Sequence, residues 1–325
     1  MNTRRRVVFA LGTAALVVRT SFAQQASKAH RIGFLLAEAV SGQMSRLEAL
    51  RAGLRDLGYI EGKNIVIEIR SADSNYDQLP LLAAELARLK VEVLVAFGAK
   101  AVAAARSATT SIPIVIPSTG DPVGRGLATS FSSPSGNIVG LDNMGREVYG
   151  KRLELLKEAL PRLSRIALLI NPAQPGSNAV KGTSAPAKSL NLHIQFFEAR
   201  AQTDFGDVFA SMGKARIEAV VVQQDTLFMS HATEIAQLAA KQRLPSTGTT
   251  EYAEAGGLIG YGAIDTELYR RAAHFVDRLL KGAKPSDLPI ERATKFELVI
   301  NTKTAKRLGI TIPQSILLRA NKIIE

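Results

Sequence analysis

The residues able to do covalent chemistry are few and badly spaced for it. The four histidines (His30, His193, His231, His274) are scattered, with no HExxH or other metal-ligand spacing. There is no GxSxG elbow. The chain has no cysteine, which excludes disulfides, thiolate metal sites and a thiol nucleophile. Gly145 to Arg152 (GREVYGKR) nearly spells a phosphate-binding loop. Arg152, however, stands where Ser or Thr must hold magnesium, and no strand is read ahead of the segment. Gly120, Gly124 and Gly126 miss the GxGxxG spacing. These features predict a protein that is not an enzyme and uses no cofactor or metal.

Binding chemistry is better served. In Ile112 to Leu127 (IPIVIPSTGDPVGRGL) an apolar run ends at Pro117 and a polar, glycine-punctuated loop follows at once. A buried parallel strand delivers its carboxyl end into a crevice in this way, and open α/β sheets bind ligands there. Ser118 to Asp121 are therefore expected to line one wall of a cleft.

The elements around that strand occur twice. Arg31 to Leu36 reads as a first strand, and Met44, Leu47, Leu50, Leu54 and Leu57 mark one face of a helix. Ile65, Ile67 and Ile69 alternate with Val66, Glu68 and Arg70, the pattern of a strand near a sheet edge. A helix from about Tyr76 to Leu89, a buried strand Val91 to Phe97 and a small-residue helix beyond Gly98-Ala99-Lys100 complete the unit. Near Arg165 the pattern restarts: RIALLI, the loop Asn171 to Asn178, a helix to about Leu190, the strand from His193, and Ile217 to Gln223 before Gln224-Asp225-Thr226. The second and third strands are about 26 residues apart in the first half and about 24 in the second. This is one architecture used twice: two similar doubly wound parallel-sheet α/β lobes facing across a cleft. Candidate crossings between them are Ser132 to Gly145, Ala255 to Gly262 and Lys281 to Pro289, three segments with the makings of a hinge. The expected division is residues 24–141 with a helix at about 263–282 returning to them, against residues 142–262 with about 283–325.

Residues 1–23 read as an export signal. Arg4, Arg5 and Arg6 precede the apolar Val7 to Val18, and Ser21-Phe22-Ala23 ends in small residues. The apolar run is too short for a stable membrane span. Thr3 to Val8 is similar to a twin-arginine signal, with Val7 in place of the usual Phe, so either export route is open. Without cysteine there is no lipid anchor, and a soluble periplasmic protein is expected. Cleavage removes four arginines and no acid, so the net charge of +12 falls to about +8. The remaining cations are interspersed with acids, as in Lys151-Arg152-Leu153-Glu154, the mark of solvated helix faces rather than a nucleic-acid surface.

With the signal, the repeat and the loops in view, the chain resembles the ABC-transporter substrate-binding proteins, in particular the family that includes tryptophan-binding receptors on the type I periplasmic-binding-protein fold. The resemblance is carried by IGFLL, ALRAGLRDLGYIEGKNIVIEIRSAD, GDPVGRGL, SGNIVGL, GKRLELLKEALP, NPAQPGS, GGLIGYG and FELVINTKTAKRLGITIP. It implies a monomeric receptor that carries an amino acid, aromatic or not, or a related carboxylate to an ABC permease. A sensor without its own transporter is the alternative. A sugar-repressor-like regulator would need a helix-turn-helix where this chain has its export signal.

The resemblance also implies site residues: Ser41, Gly98, Ala99, Lys100, Ser118, Thr119, Asp121, Asn178, Asp225, Tyr261 and Asp265. A ligand carboxylate suits helix N-termini and hydroxyls such as Ser41 or Thr119. An ammonium suits Asp121 or Asp225, or Asp265, and Tyr261 could offer a flat wall. Lys100, where relatives often carry Thr-Pro, would favour an acid without an amino group. Each has a plainer reading: Asp121-Pro122 as a turn, Asp225 and Asp265 as helix caps, Tyr261 as hinge packing, Lys100 as a surface lysine.

Overall fold

The computed structural model describes residues 29–132, 136–172 and 178–325; the segment expected to be an export signal, residues 1–23, lies outside them. The first half runs β1 (His30–Leu36), α1 (Met44–Asp56), β2 (Ile65–Ser71), α2 (Leu79–Arg88), β3 (Val93–Phe97), α3 (Ala99–Ala108), β4 (Ile114–Thr119) and β5 (Ile138–Asp142). The second runs α4 (Gly145–Ala159), β6 (Arg165–Ile170), α5 (Asn178–Ser189), β7 (His193–Glu198), α6 (Phe205–Lys214), β8 (Ala219–Val222), α7 (Thr226–Ser230), α8 (Ala232–Lys241), β9 (Ser246–Gly248), α9 (Thr250–Glu254) and β10 (Ile259–Ala263). Then come α10 (Asp265–Leu280), β11 (Glu291–Arg292), β12 (Phe296–Asn301), α11 (Thr302–Leu308), α12 (Gln314–Leu317) and β13 (Lys322–Ile324).

These strands form two sheets, ordered β11-β5-β4-β3-β1-β2 and β13-β12-β10-β9-β8-β6-β7. Every pairing is parallel except β10 with β12. The two-lobe parallel-sheet α/β fold read from the sequence is the fold observed. Central strands such as β3 (VLVAF) are apolar at every position because helices cover both faces. β2, with its alternation, is an edge strand.

Three expectations about the crossings need correction. Ile138 to Asp142, within the Ser132 to Gly145 boundary, is a fully buried strand that pairs with β4. It precedes Gly145, so a strand does stand ahead of GREVYGKR. The chain leaves the first sheet after Asp142, at Met144 with φ 56°. Ile259 to Gly262, read as irregular, belongs to β10, and the return crossing follows at Ile264. Lys281 to Pro289 is no crossing: Leu288 and Ala293 pack in the first lobe's core and β11 pairs with β5, so the chain changes lobes between Arg292 and Phe296. Glycine and proline marked these segments as irregular, but hydrogen bonds from distant strands drew two of them into sheets.

α10, though it follows the second lobe's β10, packs on α1 in the first lobe. Its Leu268, Tyr269, Ala272, Phe275 and Val276 join Leu47, Leu50 and Leu54 in one core. Each such fully buried side chain contributes roughly 1.5–3 kcal/mol. Gly53 sets the closeness of the two helices, because a β-carbon there would collide with the backbone oxygen of Arg270.

Candidate ligand-binding site

A cavity of ≈ 760 Å³ lies between the lobes. Its walls are the carboxyl ends of β3 and β4 from one lobe and of β8 from the other, with the first turns of α3, α4, α5 and α7. Backbone N–H groups at helix starts have no partner within their own helix, so this arrangement favours an anionic group. Gly98 begins α3 at φ 89°, where a side chain would be strained, and thereby turns the chain from β3 into the cavity wall.

Asp225 is the site's buried carboxylate, 2% exposed. Its Oδ1 accepts from Asn171 Nδ2 at 3.1 Å and from the Leu227 N–H at 2.9 Å, capping α7. Its Oδ2 is buried without a full hydrogen bond among the described residues, and the Phe228 N–H also acts on the carboxylate. Burial pushes this carboxyl above the usual range, while the Asn171 and backbone hydrogen bonds and the Lys100 charge act against that rise. Glu38, 4% exposed in the loop after β1, has both oxygens buried without a full hydrogen bond. Burial raises its pKa too; the Thr226 hydroxyl lowers it and the Asp225 charge raises it further.

Among the described residues the lobes touch through several polar contacts. Arg46 on α1, 6% exposed in its side chain, donates from Nη2 to Glu251 of α9 at 2.8 Å and to Asp265 at 2.8 Å. Asp121, in the left-handed region at φ 52°, pairs with Arg146 at 3.0 Å and Lys181 at 3.8 Å. Tyr76 Oη lies 3.4 Å from Thr226 Oγ1. The lobes are therefore closed on the cavity.

Of the residues expected at the site, Gly98, Ala99, Lys100, Ser118, Thr119 and Asp225 do line the cavity. Lys100 stands 3.7 Å above the Tyr76 ring. Ser118 Oγ donates to Asp265 Oδ1 at 3.2 Å and accepts from Asn143 Nδ2 at 3.1 Å. The others are elsewhere. Ser41 is exposed in a single 3-10 turn before α1. Asp121 is held by its two cations and accepts the Gly124 N–H at 3.0 Å, so both turn and ion pair engage it. Tyr261 stacks on Phe296 with ring centres 6.0 Å apart, the hinge-packing reading. Asp265 opens α10, with Ile264 rather than itself as the cap, and holds Arg46. Asn178 begins α5, and its side chain lies outside the described residues.

Sequence reasoning missed Arg106, Arg125, Asn143, Tyr149 and Gln224 in the lining, whereas Glu38 lies in the loop after β1, Ala37 to Met44, that the family resemblance implies for the cleft. Arg125 carried a usable signal, since it lies in a loop at the carboxyl end of a strand. Arg106 did not: it lies two turns into a helix and reaches the cavity only through packing.

A family model described as ABC transporter substrate binding protein matches residues 40–324. The chain belongs to that family. It is a family of substrate-binding proteins, not of enzymes. This substrate-binding protein is 26% identical over 259 residues, 79% of its length and 74% of the relative's, to a tyrosine-binding protein of Clostridioides difficile. It shares its fold with the ABC domain from Streptococcus pneumoniae solved in complex with L-Trp, at TM-score 0.84 and 23% identity, covering 91% of this chain and 100% of that one. A conserved domain protein from Vibrio cholerae gives TM-score 0.85 and 26% identity, with the same coverage. Among the described residues no helix is long and apolar enough to cross a membrane.

Proposed function

We propose that this chain is the periplasmic solute receptor of an ABC importer, exported by its first 23 residues, and that it closes on an amino acid and delivers it to a membrane permease as a monomer. The observation that carries the ligand class is Asp225, a buried carboxylate of the cavity lining whose Oδ2 lacks a full hydrogen bond, among walls otherwise formed by helix N-termini. A carboxylate oxygen kept from water needs a cation, and an α-ammonium beside an α-carboxylate matches both features. The tyrosine-binding relative and the L-Trp complex support an amino acid of aromatic type. Ligand touching both lobes stabilises the closed arrangement and so shifts an open–closed equilibrium.

Lys100 in the lining favours a second reading, a carboxylate without an amino group. The test is a thermal-shift and calorimetric screen of protein unfolded and refolded to strip co-purified ligand. The panel holds amino acids, aromatic ones included, and small carboxylates. A ligand at a hundredfold excess over its Kd adds about 2.7 kcal/mol of stability. Binding of an amino acid that drops by roughly 2–4 kcal/mol in Asp225→Asn is the expected result. Binding confined to amino-free acids would replace the first reading by the second.

A further inference from the structure

We propose that the cavity is built for an extended, anionic amino-acid-type ligand: an amino and carboxylate head at the Asp225 end, an apolar spacer, and a second acidic group held by Arg106 and Arg125. The proposal rests on the amino-acid reading above and adds the far half of the ligand.

Length comes first. α3 lines the cavity from Ala99 through Lys100, Val102 and Ala103 to Arg106 and Ser107. At 1.5 Å per residue the lining runs about 12 Å along that helix. A tyrosine reaches about 6–7 Å from its Cα to its hydroxyl at ordinary bond lengths, so a para-carboxylate on that spacer meets the far arginines as their long side chains reach back towards it. The ≈ 760 Å³ volume leaves room for an amino acid whose side chain carries a further group.

Charge comes second. The cavity lining carries Lys100, Arg106 and Arg125 against one carboxylate, Asp225. Lys100 sits at the Asp225 end, over Tyr76. The other two mark the opposite end together: Arg106 Nη1 donates to the Gly126 carbonyl at 3.0 Å, next in sequence to Arg125. Asp121, the acid whose charge acts on Arg125, is already paired with Arg146 and Lys181. Arg125 is open to solvent by area, yet neighbouring atoms withdraw enough water to lower its pKa. Between the two ends the wall is apolar, with Val102, Ala103, Ile116 and Leu127. Two guanidinium groups that form no ion pair among the described residues, beyond an apolar stretch, suit a planar acid at the end of an apolar side chain.

The experiment compares L-phenylalanine, 4-carboxy-L-phenylalanine and 3-(4-carboxyphenyl)propanoic acid by calorimetry on refolded protein. The carboxylated amino acid should bind at least about tenfold more tightly than phenylalanine at low salt, one strong charge-assisted pairing's worth. That preference should shrink with added salt and vanish in the Arg106→Gln/Arg125→Gln double variant. Arg125→Glu should instead favour 4-aminomethyl-L-phenylalanine, a gain that a misfolded variant cannot produce. Phenylalanine binding as tightly as its carboxylated analogue would overturn the distal acid and leave the amino-acid reading standing. Binding of the amino-free diacid alone, or of none of the three, would overturn that reading and this proposal together.

Discussion

Glu251→Gln isolates the contribution of a single interlobe ion pair to closure. Arg46 and Asp265 both belong to the first lobe's packing, whereas Glu251 sits on α9 of the second, so the 2.8 Å Arg46–Glu251 contact exists only when the lobes are shut. Unit charges about 4 Å apart attract by about 4 kcal/mol at an effective dielectric of 20. The Glu251 side chain is 47% exposed, and water and lost side-chain entropy reduce such a pair to about 1 kcal/mol. The substitution strands no buried charge, because Arg46 keeps two bonds to Asp265 Oδ2, at 3.0 and 2.8 Å. The larger penalty of about 3–5 kcal/mol for an abandoned buried ion therefore does not arise. About 1 kcal/mol against the closed form is about a fivefold shift in the equilibrium, and ligand affinity falls with it when only the closed form binds tightly. Calorimetry with whichever amino acid binds the native protein should show that fivefold weakening, with the melting temperature of the ligand-free protein nearly unchanged. Affinity within twofold of the native value would refute the closure role of this pair.

Asp121→Asn removes the pairs to Arg146 and Lys181 while keeping an oxygen for the Gly124 N–H. Amino-acid affinity should fall only a few-fold, and less at high salt; a hundredfold loss would return Asp121 to the role of ammonium partner. Because burial raises the Asp225 carboxyl above its ordinary 3.8, acidification through that raised value neutralises the ammonium's partner. Calorimetric affinity for an amino acid should be full near neutrality and decline on acidification, while Asp225→Asn shows no such decline. The stability of the ligand-free fold has the opposite sign for this group, greatest below 3.8 and reduced as pH rises and Asp225 ionises. Gly53→Ala should lower the melting temperature, as a collision with Arg270 costing about 1–3 kcal/mol outweighs a helix-propensity gain of about 1 kcal/mol. An unchanged or higher melting temperature would mean that α1 and α10 can separate freely.

The sequence by itself determined the lobes. Apolar strands alternating with amphipathic helices can bury their faces only as helix-covered parallel sheets, and the pattern's restart near Arg165 doubled the unit. It also placed Ser118 and Thr119 at the cavity, because the carboxyl end of a buried parallel strand opens into the crevice, and the family resemblance added Asp225. Where the chain crosses was decided by tertiary structure: Ile138 to Asp142 looks like a glycine-flanked linker until β4 supplies its hydrogen bonds. The fates of Asp121, Asp265 and Tyr261 were decided in the same way. Their partners Arg146, Arg46 and Phe296 come from distant segments, and local spacing says nothing about which carboxylate meets a cation and which is left to meet a ligand. Asp225 alone among the expected carboxylates both lines the cavity and keeps a buried oxygen without a full hydrogen bond among the described residues, and the packing of α7 against Asn171 leaves it so.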